Sequence, residues 1–361
     1  MRAAVLRETG APLAIEELSL LPPRPGDVQV RVEAAGVCHT DYHYMVGDMR
    51  CRLPVVLGHE GAGIVEAVGD GVDSVAPGDR VALMWRPRCG HCVYCITGQP
   101  VLCTGGRVQA ESGGLIDDGT TRLRKGAEEI HHFLGVSCFA EQVVVSARSV
   151  APVPADIPPH IAAITGCAVI TGVGAVLNVV GACAGRSVLV FGAGGVGLSA
   201  VMGARLAGAE PIIAVDPVAE RLAMARRLGA THVLPSGDAV DQICPGGVDW
   251  AIEAVGRPET LRQAVSALRP GGTAVAIGLT RADATFEVPI NEMVQRQKRI
   301  VGSLYGSANP LTDLPRIFAL YRAGRLPLDE LVGDRYPLDQ VNTAYDALMH
   351  GALGRAVIQP R

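Results

Sequence analysis

The stretch from Ser187 to Gly197 constrains the fold more than any other part of the chain. Ser187-Val-Leu-Val-Phe191 reads as a short apolar strand and passes directly into Gly192-Ala-Gly-Gly-Val-Gly197. The G-x-G-x-x-G spacing is common by itself, but between a strand and a helix it marks the first turn of a dinucleotide-binding βαβ unit. Gly192 permits the tight turn, Gly194 lets the backbone approach a pyrophosphate, and Gly197 lets helix and strand pack closely. Gly195 and Val196 open the helix, whose amino terminus favours phosphate charge. Asp216, after the apolar run Pro211-Ile-Ile-Ala-Val215, stands at the roughly 20-residue distance of the ribose-binding acid. A carboxylate there favours NAD, while the nearby Arg221 and Arg226 keep NADP as the alternative.

The same rhythm continues beyond this loop. Strands are expected near 232–234, 248–252, 273–277 and 299–303, with helices at 217–228 and 259–268. With the two strands already placed, this makes the six that two mononucleotide-binding halves require. The first 150 or so residues read differently: extended runs at 28–32, 63–68, 80–83 and 142–145 lie between Pro, Gly and Asp turns, as in a β-rich domain with long loops. After 310, helical stretches at 314–323 and 338–349 and a strand at 356–359 are expected to return to that first domain. A chain of 361 residues, 48% hydrophobic, has room for two or three cores.

Composition excludes several classes. With 32 basic against 36 acidic residues the net charge is −4, and no basic cluster is visible, so no field draws in nucleic acid. Low net charge with high apolar content argues against disorder. The amino terminus breaks its short apolar run at Arg7 and Glu8 and so lacks the core of a secretory signal; a cytoplasmic location is the expectation. Residues 161–185 carry no charge and are long enough to cross a bilayer, but glycines, threonines and Asn178 interrupt them and no aromatic belt flanks them. Buried soluble structure is the expected reading.

Ten cysteines in such a chain point to metal before disulfides. Cys89, Cys92, Cys95 and Cys103 supply four thiolates from one segment, enough to close a tetrahedron around zinc with no open position. The site is read as structural; an iron–sulfur cluster is the alternative. A second set is scattered: Cys38 in Gly36-Val-Cys-His-Thr-Asp41, His59 and Glu60 in Leu57-Gly-His-Glu-Gly61, and Cys167 in Gly166-Cys-Ala168. Spacing does not connect them.

These motifs, in this order along essentially the whole chain, resemble the zinc-dependent alcohol dehydrogenases of the medium-chain dehydrogenase/reductase superfamily. Residues 115–135, ending His131-His-Phe-Leu-Gly135, look like the long dimeric subgroup. The resemblance implies an α/β chain. A GroES-like β-rich catalytic domain (1–168 and 305–361, structural zinc lobe at about 86–104) surrounds a Rossmann domain with a doubly wound parallel sheet for the coenzyme (169–304). It also implies two zinc ions per subunit and NAD. The catalytic zinc would take Cys38, His59 and Cys167 and keep its fourth place for water or substrate. Glu60 matches a carboxylate that approaches the metal on ligand exchange, and Asp41 the carboxylate that orients the ligand histidine.

The implied activity is reversible hydride transfer between a primary alcohol or its aldehyde and NAD, the metal acting as Lewis acid. Thr40 and His43 match the family's proton relay to solvent. Around the coenzyme, Arg355 matches the pyrophosphate-binding arginine, and Arg221 a contact to the adenosine ribose. Val255 and Gly278 are further expected contacts. His39 stands where many relatives have arginine and, neutral, would grip the phosphates less strongly, easing coenzyme release. Trp85, Phe133 and Leu134 fall on positions that line the substrate channel, and Trp85 is bulkier than the usual phenylalanine or tyrosine. A homodimer is implied, with the apolar strand at 299–304 as its pairing edge.

Two other readings remain. Thiol-dependent formaldehyde dehydrogenases share the subgroup, and Arg107 matches their anion-binding arginine; a shorter 47–52 stretch with Arg50, and His43, are unlike the glutathione-using members. A catalytically silent nucleotide-binding protein is the other, against which the intact Cys38, His59, Cys167 and Thr40 argue.

Overall fold

Alternation makes Asp27–Gly36 the spine of the amino-terminal part of the molecule: Val28, Val30 and Val32 are buried while Gln29, Arg31 and Glu33 are half-buried, the signature of a strand with one core face. In this computed structural model, which describes residues 1–106 and 110–360, that strand pairs antiparallel with Gly61–Val68, Gln142–Ser146 and Arg355–Gln359. The last partner comes from the far end of the chain, so the tail returns to the first unit. That unit comprises Met1–Cys167, Asn309–Leu320 and the chain from Val332 on. A second sheet of short strands, Arg2–Leu6 among them, completes it. Its core joins Val5, Leu57, Phe133 and Phe139 to Val341 and Tyr345 of the carboxyl-terminal helix.

The second unit, Ala168–Ala308 with Tyr321–Leu331, is built on a six-stranded parallel sheet. Its spatial order is His232–Leu234, Ile212–Val215, Val188–Phe191, Val248–Glu253, Leu268–Ala276 and Arg299–Gly302, the doubly wound order 3-2-1-4-5-6. The two units divide the chain differently from the expected boundary at 305. Gly306 lies against Ile170 and Gly174, where a Cβ would clash, and Asn178 donates to its carbonyl at 3.1 Å, so 305–308 belong with the second unit. Leu326, Leu328 and Leu331 are fully buried, and Glu330 meets Arg227 at 3.5 Å. The fifth strand begins at Leu268, earlier than expected, because it runs through a bulge between its pairs Val248–Leu268 and Trp250–Thr273.

Most of the charge-free run lies in a helical stretch, Pro159–Val180, whose most apolar 18-residue window is 83% buried inside the protein. Its apolarity serves the core. Two π-turns, Thr165–Val169 and Ala175–Val180, interrupt its α-helical geometry.

Candidate functional site

The helix His39–Val46 is capped by Cys38, whose Sγ accepts the Thr40 N–H at 3.4 Å, and closed by Gly47 in the left-handed region. A thiolate at a helix amino terminus is favoured by the aligned peptide dipoles. The same helix carries Thr40, Asp41 and His43. Asp41 is completely buried; its Oδ1 accepts the Gly58 N–H at 2.9 Å and its Oδ2 faces His59 Nδ1 at 3.0 Å. Gly58 has no freedom to be anything else, since at its φ of 89° a Cβ would stand 2.7 Å from the Phe139 nitrogen. The imidazole is thus held from behind, and Nε2 points to Cys167 Sγ at 3.5 Å. Cys167 lies in the π-turn Thr165–Val169, an irregularity typical of functional sites.

Donor atoms of Cys38, His59, Glu60 and Cys167 all lie within 4.8 Å of one another, and all four residues are buried. Zn–S and Zn–N bonds of tetrahedral zinc separate S from N by about 3.6 Å, which the 3.5 Å separation meets. The donor set therefore fits a zinc ion with three protein ligands. The Cys167 sulfur, the Arg355 guanidinium and His59 hold the Cys38 thiol well below its usual range, while Cys38 and burial push Cys167 well up. Burial opposes charge on His59, but Asp41 and Cys38 outweigh it and raise its pKa well above the ordinary value.

Arg355 is only 4% exposed and forks onto the buried Glu60, Nε to Oε2 at 3.1 Å and Nη2 to Oε1. A carboxylate buried beside thiolates needs such a partner. Gly36 makes the room, because a Cβ there would overlap the Glu60 carboxylate. Phe133 has no exposed surface, and its ring stands 5.9 Å from the His59 ring and 4.8 Å edge-on from Tyr44, so it backs that histidine. Leu134 is also buried and takes a φ of 51°, strained for a branched side chain. Trp85 is half-buried, its ring 6.2 Å from His59 and perpendicular to it.

His43 meets Asp48 Oδ2 through Nδ1 at 2.9 Å. Asp48 went unnoticed in the sequence; its signal was the helix-ending Gly47, which turns the chain back toward His43. His39 is exposed at the start of the helix, and Arg50 is exposed beyond it. Arg107 lies outside the described residues.

In the lobe, the Cys92 sulfur is 3.6 Å from Cys95 and 3.8 Å from Cys103, and Cys89 is 4.0 Å from Cys95. A tetrahedron of Zn–S bonds has edges of about 3.8 Å, so the four sulfurs fit one zinc ion, and none is in a disulfide. The Cys95 N–H draws the Cys92 thiol down to about 6, whereas burial pushes Cys95 up to about 11.

In the second unit, Gly192 has a φ of 91° and Gly197 sits so close to the Gly192 carbonyl that no Cβ fits. A Cβ at Gly194, the cap of the helix Gly195–Leu206, would meet nothing, which leaves open space before the helix amino terminus. Asp216 is 4% exposed and its two oxygens accept the N–H groups of Ala193 and Val218 at 2.8 and 2.9 Å. It braces the glycine loop, and each oxygen keeps a lone pair for a ribose hydroxyl. Glu253, on the other side of the strand Val188–Phe191, braces its own turn in the same manner, its Oε1 accepting from the Val255 and Gly256 N–H groups and the Thr260 hydroxyl. The sequence did not mark it, because Asp216 had both its distance from the glycine loop and its place at a strand end, and Glu253 has only the second signal. Val255 is 40% exposed, Gly278 packs against Gly256 and Glu253, and Arg221 is half-buried in the first turn of Ala219–Leu228.

Comparison with known proteins agrees with this architecture. Residues 24–155 match the alcohol dehydrogenase GroES-like domain and residues 195–320 the zinc-binding dehydrogenase domain. The chain is 40% identical to the NDMA-dependent alcohol dehydrogenase of Amycolatopsis methanolica, over 99% of this chain and 98% of that one. Among solved structures, an alcohol dehydrogenase zinc-binding domain protein from Burkholderia ambifaria superposes with a TM-score of 0.93 at 40% identity, covering 99% and 98% of the two chains. The benzyl alcohol dehydrogenase of Acinetobacter calcoaceticus gives 0.92 at 34% identity with the same coverage.

Proposed function

Because the chain belongs to the zinc-binding alcohol dehydrogenases, we propose that it interconverts a primary alcohol, aliphatic or aromatic, and its aldehyde by hydride transfer with NAD. The observation that carries this reading is the convergence of Cys38, His59 and Cys167, three ligands with a carboxylate behind the histidine. Cys38, His59 and Cys167 would hold zinc, which would supply Lewis acidity that eases loss of the alcohol proton, and bound NAD would supply the hydride acceptor.

The chain's own residues do the rest. Asp41 holds His59 by Nδ1 and so presents Nε2 to the metal. Arg355 keeps the Glu60 carboxylate paired where it lies beside the ligand thiolates. Thr40 Oγ1 takes up the substrate proton and His43 passes it to solvent from Nε2, its Nδ1 being engaged by Asp48. Gly192, Gly194 and Gly197 admit the pyrophosphate, and Asp216 takes the ribose hydroxyls and repels a 2′-phosphate, which favours NAD over NADP. Trp85, beside His59, narrows the approach to the metal and favours primary or planar alcohols. In this reading the protein acts in the cytoplasm as a homodimer on small molecules.

The test is formation of reduced nicotinamide by zinc-replete protein from straight-chain and aromatic alcohols, and from formaldehyde with and without small thiols. NDMA is tried as acceptor in parallel, because a relative is named for it. Turnover of free primary alcohols with added NAD is expected. Activity only with thiol and formaldehyde together would move the assignment to thiol-adduct oxidation. Turnover only with NDMA would replace exchangeable NAD with a retained coenzyme.

A further inference from the structure

We infer that Ser137 is a positioning residue for His59, acting through the turn that carries Phe133. The inference rests on the reading that Cys38, His59 and Cys167 hold zinc.

The turn is backbone that must be held in place. The Val136 N–H donates to the Phe133 carbonyl at 3.0 Å, with Leu134 and Gly135 between them at φ 51° and 69°, and Ser137 follows at 59°. Leucine and serine do not settle in the left-handed region unless the surroundings require it. The requirement comes from the Ser137 hydroxyl, which is fully buried. It accepts the Phe133 N–H and donates to the Val56 carbonyl, both at 2.7 Å, and so ties one end of the turn to the chain just before His59. The next two residues continue the seam: Cys138 N–H donates to Gly58 at 3.0 Å and Phe139 N–H to Leu57 at 3.1 Å.

At the other end of the turn, the Phe133 ring stands 5.9 Å from the His59 ring at 66°. Trp85 stands 6.2 Å from it at 89°, and Asp41 faces Nδ1. The imidazole is therefore enclosed by two aromatic rings and a carboxylate. Asp41 sets its proton, while the rings limit its tilt. Ser137 fixes where the Phe133 ring lies, since its hydroxyl joins the Phe133 backbone to the segment that delivers His59. Without it the turn relaxes out of its strained geometry, Phe133 shifts, and the ligand gains freedom to swing away from the metal.

The test measures zinc release to a chromogenic chelator from the intact protein and from Ser137→Ala and Ser137→Gly. The four-cysteine lobe, a separate segment, serves as internal reference. Both variants are expected to release the His59-site metal about tenfold faster, the lower end for losing a residue behind a ligand, with lobe release unchanged. Glycine separates the hydroxyl from the backbone, because it is at ease at positive φ. Wild-type release in Ser137→Gly but not Ser137→Ala would mean that the backbone matters and the hydroxyl does not, which overturns the inference. Wild-type rates in both variants, or loss of both metals together through unfolding, overturn it as well. A wild-type protein that holds no metal at Cys38, His59 and Cys167 instead removes the reading of the site itself.

Discussion

His59 and His132 are both buried, yet their surroundings drive them in opposite directions. Asp41 and the Cys38 thiolate make a charge on His59 favourable, whereas burial and the nearby Arg122 push His132 down to about 3. His132 lies in the strand Glu128–His132, its Nε2 accepting the Arg122 N–H at 3.4 Å while Nδ1 has no partner. Because its folded pKa lies below the unfolded value of about 6.5, the unfolded chain binds the extra proton first. Stability linked to His132 is therefore intact above pH 6.5 and lost as the pH falls toward 3, by about 2 kcal/mol at pH 5. His132→Gln, which keeps an acceptor for Arg122 and cannot charge, should lose less stability between pH 7 and pH 5 than the wild type in urea unfolding; an equal loss would exclude the mechanism. At this scale the sequence identified the residues with a motif around them. It could not identify Asp48, whose role rests on one hydrogen bond, or Ser137, whose role rests on two, because such contacts leave no pattern.

At the scale of elements, the cysteine lobe was fully legible, because its four ligands lie in one short segment and chain geometry alone brings them together. The lobe holds few apolar contacts of its own: Val93 and Ile96 in its short helix are 60% and 70% exposed. Pro100 and Val101 are buried there, and a zinc ion on the four sulfurs would supply the remaining cross-link. Cys92→Ser is expected to lower bound zinc from two ions per chain to one, by elemental analysis, and to speed proteolysis between 89 and 103 while the parallel sheet keeps its structure. Two ions retained in the variant would contradict the four-sulfur assignment. The helical run Pro159–Val180 was legible as buried, but the π-turn that carries Cys167 was not. That turn depends on which carbonyl each N–H finds, and the apolar sequence there is equally compatible with a regular helix.

At the scale of the whole molecule, the strand Arg299–Gly302 pairs with Leu268–Ala276 and, among the described residues, with no other strand. Its outer edge offers unpaired backbone groups, and Ile290 and Val294 on the preceding helix are 77% and 70% exposed. A free edge beside exposed apolar residues is a template for pairing with a second copy. The wild type should sediment at twice the mass of one chain, and Val301→Lys, which places a charge on that edge, should shift it toward the monomer. A wild-type monomer at micromolar concentration would remove the proposed dimer.

Local pattern determined a great deal of this protein. Six strands in a βαβ rhythm, the glycine loop, the ribose-side acid and the four-cysteine lobe all follow from neighbours in sequence, because backbone periodicity and short loops act over a few residues. Tertiary structure alone decided the rest: that His59 Nε2 meets Cys167, that Arg355 pairs with Glu60, and that the Phe133 ring stands behind His59. Those contacts join residues far apart in the chain. They are set by strand register and by the need to pair every buried charge, neither of which a single sequence displays.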